Sequence, residues 1–205
     1  SAISMASAGF DAAHSDRLFY NLHGYDEDLA YLEDALEDAS SDEEKAAILW
    51  RLSRTVLTIT DGIEGKDARL AGYAESEGYA DQSLSLAETP DGYFWKASAI
   101  GRTGQVNGPL NSLMKARPML ELCLKVQDDF GCDMSDCWYV MGLLYNQLPG
   151  SPISFGNKEY AISYMRRCID TQDTANRLNL ANYLELAQQL HGPVQQAAVR
   201  LVPVP

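Results

Sequence analysis

The chain has 205 residues, with 16 Lys and Arg against 29 Asp and Glu, a formal net charge of −13. Nucleic-acid binding needs a basic surface to displace counterions, so this balance argues against it, and against anionic membrane surfaces on the same ground. No apolar run approaches the roughly 18 residues of a membrane-spanning helix. The acid is concentrated: positions 1–50 carry 12 acidic and 2 basic residues. Such a stretch reads first as solvated helix faces and second as a docking surface for a cationic partner. The chain begins at Ser1 rather than Met, and the opening Ser1–Phe10 stretch has no basic start. It reads as a chain start left behind by a removed leader or tag.

Taken in order, the chain reads as helix after helix. Leu29, Ala30, Leu32, Ala35 and Leu36 form an apolar stripe at helical spacing. Ser41 and Glu44 make a capping-box pattern ahead of the run 46–59, which Asp61-Gly62 and Glu64-Gly65 end. Residues 66–87 form the next helix, with Leu70, Tyr73, Ala74, Ala80 and Leu84 on one side. Thr89-Pro90-Asp91-Gly92 reads as a turn, 93–101 as a helix, and Gly101–Pro109 as a glycine-rich loop. Residues 110–129 are helical, with Pro118 expected to kink or restart the helix. A turn over 131–135 leads to helix 136–148, and the Leu148–Pro152 stretch breaks it. Helices over 157–171 and 174–190 come next. The tail, ending Val202-Pro203-Val204-Pro205, is expected to be extended or loose. No segment alternates as a strand does.

Spacing adds a repeat. Trp50, Trp95 and Trp138 lie 45 and 43 residues apart, each on the first helix of an expected pair. Ala116, Leu120 and Cys123 match Ala161, Met165 and Cys168, again 45 residues on. The segment Trp138-x-x-Met141-Gly142-x-x-Tyr145, followed by Ala161-x3-Met165-x2-Cys168, resembles a tetratricopeptide (TPR) repeat. In such a repeat, small residues such as Gly142 and Ala161 allow close helix approach while Trp138 and Tyr145 fill the gaps. The linkers are longer than those of the regular repeat of about 34 residues. With Trp95–Gly108, the Leu144–Pro152 stretch and Gly156–Ala161, that longer pattern resembles two related groups. One is the T-component of tripartite (TRAP) periplasmic transporters; the other is the regulator-of-microtubule-dynamics TPR-like family. The expected architecture is all-α: about three TPR-like hairpins stacked as a short solenoid, plus flanking helices. Residues 1–42 form acidic helices or a cap, 43–190 the repeat domain and 191–205 a tail. Arg54 departs from the pattern, standing where a small residue is usual.

The residues suggest no chemistry of their own. His14, His23 and His191 lie near the two ends without metal-ligand spacing, and no Gly-x-Ser-x-Gly elbow or HExxH occurs. The glycines at 101, 104 and 108 lack the Gly-Lys-Ser/Thr ending of a phosphate loop. Glu43-Glu44 and Asp26-Glu27-Asp28 read as helix-start acids rather than a catalytic pair. Cys123 and Cys168 fall on apolar stripes as core residues. Cys132 and Cys137 flank a helix start, where a disulfide is open to them in an oxidising compartment. No cofactor or metal is expected.

The expectation is therefore a non-catalytic binding or adaptor protein. In a helical solenoid the first helices of the repeats line the concave side. That places Arg51, Thr55, Tyr93, Lys96, Tyr139, Leu143 and Asn146 on a partner-binding face, with Arg51 and Lys96 as charge readers and the tyrosines as apolar walls. The alternative is that these residues pair with acids on neighbouring helices. The loop 148–155, with Pro149, Pro152 and Phe155, would add a lip. Resemblance to the T-component implies a periplasmic protein, lipid-anchored upstream of Ser1, that self-associates beside a periplasmic solute-binding protein. Resemblance to the other group implies a cytoplasmic protein–protein scaffold with reduced cysteines. An enzyme on a helical fold, the third reading, requires perturbed titratable groups gathered in a cavity.

Overall fold

A computed structural model describes residues 9–174 and 180–191. The tail over 192–205, and residues 175–179 of the expected last helix, lie outside the described residues. The described residues are helical, without strands: α1 (Ala12–Arg17), a π-helical turn (Leu18–Leu22), α2 (Tyr25–Asp38), α3 (Asp42–Asp61), α4 (Lys66–Leu86), α5 (Pro90–Asn107), α6 (Pro109–Phe130), α7 (Ser135–Gln147), α8 (Lys158–Thr174) and α9 (Leu180–His191). Consecutive helices pack on each other: α2 on α3, α3 on α4, α4 on α5, α7 on α8 and α8 on α9. The chain divides into two compact units within α6, 1–122 and 123–205.

In the first unit, local chemistry starts the helices. The Ser41 hydroxyl accepts the Glu44 amide at 3.1 Å, satisfying an otherwise orphaned donor of α3. The Glu44 carboxylate reaches past the box and accepts the amides of Phe10 and Ser40, which hold it below the usual carboxylate range. Thr89 caps α5 by accepting the Gly92 amide, and Pro90 takes the first helical position, where its missing N–H costs nothing. The expected turn at 89–92 is therefore the cap and first turn of α5.

The expected loop over 101–109 is helix as far as Asn107. Gly101 and Gly104 are there for packing: a Cβ on Gly101 would meet the Met119 side chain at 2.6 Å, and one on Gly104 would lie 3.2 Å from the Ser112 backbone. The reversal is carried by Gly108 alone, at φ +92°. α6 runs on through Pro118. The core of this unit is Leu32, Ile48, Leu49 and Leu52 between α2 and α3, and Leu57, Tyr73 and Ala99 between α3, α4 and α5. Where α3 meets α4, a Cβ on Gly72 would overlap the Thr60 hydroxyl.

In the second unit α7 and α8 close on Cys137, Met141, Ala161, Met165 and Cys168, all fully buried. Gly142 sets their separation: a Cβ there would stand 3.1 Å from Met165 Cε and 3.4 Å from the Ala161 carbonyl. Cys123, like Cys168, is buried as the apolar stripes imply. All four cysteines are unbridged. The Cys137 thiol points at Met134 Sδ, 3.7 Å away, and its contact with Cys123 together with burial pushes it far above the usual thiol range. Burial pushes the Cys168 thiol up to about 12, and it accepts a hydrogen bond from Asn182 of α9 at 3.2 Å. These are inert core thiols, not nucleophiles.

Candidate functional site

The three tryptophans sit on α3, α5 and α7, the first helices of consecutive pairs. Four residues after each, one turn on and on the same face, come Arg54, Ala99 and Gly142. Ala99 and Gly142 are small and buried. Arg54 is fully buried too, and it needs partners that the apolar stripe cannot give.

Those partners come from the first two helices. Arg54 Nη1 donates to Asp16 Oδ1 at 2.8 Å. Its Nη2 donates to Ser15 Oγ at 3.2 Å and Asp28 Oδ2 at 3.3 Å. Its Nε alone has no acceptor. The guanidinium lies 4.0 Å from the Phe19 ring centroid, with Tyr20 and Trp50 further out. One turn earlier on α3, Arg51 binds Asp16 through two parallel hydrogen bonds of 3.0 Å, donates to the Ala47 carbonyl, and lies 4.0 Å over the Trp50 ring. Thr55 donates to Asp28 Oδ2 at 2.7 Å, and Ser15 donates to Asp28 Oδ1 at 2.6 Å. α1, α2 and α3 thus meet at two arginines and two aspartates, joined by hydroxyls.

The electrostatics follow from the geometry. Burial raises the Asp16 carboxyl, but hydrogen bonds from Arg51 and Arg54 outweigh that and hold it below its ordinary value. Asp91, at the start of α5, is shifted the other way: burial raises it and the pull of Arg51 does not compensate, because Asp16 already uses that cation. Asp16 is formed for the charged state and Asp91 is not.

The expected binding residues separate accordingly. Arg51 and Thr55 are buried in this network. Tyr93 is buried, and its hydroxyl donates to Glu88 at 2.7 Å. Lys96, half-buried, pairs with Asp81 of α4 at 2.6 Å. Tyr139 and Leu143 are half-buried on α7 and Asn146 is exposed. Arg51 and Lys96, the two expected charge readers, therefore both pair with acids of neighbouring helices. Asp16, Asp28, Ser15 and Phe19 escaped the sequence reading, although a signal existed: Asp28 is in phase with Leu32 and Ala35 on the core face of α2, and Arg54 broke the repeat.

In the second unit the aromatic side chains form a column. Trp138 stacks on Tyr164 at 5.8 Å and Tyr164 on Tyr145 at 5.4 Å, with Phe155 and Tyr160 edge-on to Tyr145. Arg167 lies over Trp138 and is bridged to Asp133, which also accepts from Trp138 Nε1 at 2.6 Å and from Thr171. The stacked faces are consumed within the column, so it fills the groove between α7 and α8 rather than offering ring faces to a ligand. Phe155 of the expected lip belongs to this column. The outer face of α8, from Glu159 through Arg166 and Arg167 to Asp170, borders an open depression of about 330 Å³.

Among the described residues no group of three or more His, Cys, Asp or Glu is placed to hold a metal, and no helix is long and apolar enough to cross a membrane. The sequence matches no protein-family model and no curated protein.

Proposed function

We propose that this chain is a non-catalytic adaptor built from TPR-like helical hairpins, and that it binds a protein or peptide segment. The observation that carries the reading is the equivalence of the buried stripes. Ala116, Leu120 and Cys123 on α6 and Ala161, Met165 and Cys168 on α8 are all buried at the same 45-residue offset. Trp50, Trp95 and Trp138 lie on α3, α5 and α7. Repeats of this kind leave one face of each first helix for a partner. In the first unit Asp16 is held by Arg51 and Arg54, and Glu44 by the amides of Phe10 and Ser40; carboxylates committed to the fold in this way support binding and scaffolding over acid–base chemistry.

The partner class comes from the resemblance to the T-component: a periplasmic solute-binding protein, with the chain itself lipid-anchored and self-associating. The second reading, a cytoplasmic scaffold, is favoured by the four unbridged cysteines. Capture from periplasmic and cytoplasmic fractions of the source cell separates the two. The bait is wild type beside a Lys96→Glu/Asn146→Lys variant, which alters exposed or half-exposed positions only. A partner retained by wild type and lost by the variant supports the first-helix face as the working surface. A partner retained equally by both moves binding to another surface, and an enzyme activity that survives without any partner overturns the adaptor reading.

A further inference from the structure

We propose that the segment 10–22 is an internal ligand occupying the chain's own peptide-binding site, and that the partner is a segment of the same chemistry: a carboxylate followed three residues later by an aromatic ring. This deepens the adaptor reading and rests on it. The expected first-repeat charge reader, Arg51, is not without a ligand; it holds one. Asp16 is gripped by Arg51 and Arg54 together, the bidentate geometry by which arginine recognises a carboxylate. Three residues on, Phe19 lies against the Arg54 guanidinium and is 8% exposed. Phe10 anchors the other end, stacked on Tyr31 and beneath Arg51.

Three features make the segment displaceable. It is local: α1 has 6 residues and the π turn that continues it has 5, and the π turn ends at His23, which sits at φ +52° beside Gly24. A non-glycine residue in that conformation marks a sharp turn between the segment and α2. The segment is poorly covered on its outer side, with Tyr20 57% and Leu22 58% exposed. Its departure also leaves both arginines with acceptors outside the segment. Arg54 keeps Asp28, Thr55 keeps Asp28, and Arg51 keeps the Ala47 carbonyl with Asp91 nearby. Asp28 belongs to α2, which is held independently by Leu32 against Ile48, Leu49 and Leu52. A tethered ligand acts at a millimolar effective concentration, so it excludes weak competitors and yields to a partner that binds more tightly.

The test uses a fluorescein-labelled peptide of residues 9–24 and the full chain. Wild type binds it weakly, because the site is filled. The Asp16→Asn/Phe19→Ala chain, whose own segment is weakened, binds the unaltered peptide at least tenfold more tightly by anisotropy, and a peptide carrying Asp16→Asn does not bind. Hydrogen exchange on the same variant shows amides 12–22 deprotected while those of α3 to α5 stay protected. A second variant, with six Gly/Ser residues inserted between His23 and Gly24, leaves Phe10, Asp16, Phe19 and their partners unaltered and lowers the effective concentration of the segment. It raises peptide affinity several-fold, and it decides the matter if the double variant does not fold. Continued protection of 12–22 in the double variant, or equal peptide affinity of wild type and the insertion variant, overturns the proposal. Neither readout involves a cellular partner: peptide exchange without any captured partner would sink the adaptor reading alone, and a captured partner indifferent to the insertion would sink the internal ligand alone.

Discussion

The helices α3 and α7 carry tryptophan at corresponding places and solve the next turn in opposite ways. In α7 the residue four positions on is Gly142, and α8 moves in until Met165 and the Ala161 carbonyl are in contact range. In α3 it is Arg54, and the space is filled by a long cationic side chain that needs ligands from α1 and α2. The first solution is complete within one hairpin. The second makes the N-terminal helices part of the core. A repeat can therefore exchange close packing for a buried charge only where additional chain is on hand to satisfy it, because an unpaired buried charge costs far more than a packing defect.

Removing either solution should expose the difference. Replacing Arg54 by Met leaves the buried Asp28 without its cation, while Asp16 keeps Arg51. We expect a loss of about 3–5 kcal/mol in urea unfolding, and recovery of part of it when Asp28→Asn is added. An additive double mutant would show that the charges are not coupled. Enlarging Gly142 to Val forces α8 off α7. The expected cost is about 1–3 kcal/mol, partly relieved by Met165→Ala, since Met165 Cε is the nearest atom to the added carbon.

Acidity sharpens the contrast within the charged solution. Asp16 has a folded pKa below its unfolded value, so its contribution is present above the ordinary carboxylate range and disappears as pH falls through the lowered value. Asp91 has a folded pKa above its unfolded value, so its contribution is full below the ordinary range and lost as pH rises through the raised value. Asp91→Asn should then stabilise the chain at pH 7, by less than about 1 kcal/mol, and give no gain at about pH 3.5, in thermal melts at both pH values. Asp16→Asn should destabilise at pH 7 and converge on wild type in strong acid. The smallest effect is expected at the surface: Lys96→Ala breaks a half-exposed pair with Asp81 and should change stability by no more than about 0.5 kcal/mol.

Most of the helices were legible in the sequence, since periodicity and caps are local. The Ser41 cap, the Asp61-Gly62 stop and the stripe Ala161, Met165 and Cys168 all stand where the pattern put them. Gly101–Pro109 did not read correctly. Glycine promises a loop when no neighbour is considered, yet Gly101 and Gly104 are helical because Met119 and Ser112 approach them. The candidate site was half legible. Arg51 and Thr55 were singled out by register, and Arg54 as an anomaly, but their ligands Asp16 and Asp28 lie 38 and 26 residues from Arg54. The phase of Asp28 with Leu32 and Ala35 marked one inward carboxylate, but nothing in the solvated-looking acidic stretch marks Asp16 as the other.

The all-helical class, the order of the helices and the 45-residue offset between buried stripes are written in the chain, because each depends on residues within a turn or two of one another or on simple recurrence. That Arg54 is a buried ion rather than a surface one, and that the acidic N-terminal helices belong to the core, emerges only when the helices pack. The physical reason is that burial of a charge is a property of several segments at once: Arg54 lies inside because carboxylates from other helices reach it, the fully buried Asp28 from α2 and Asp16 from α1.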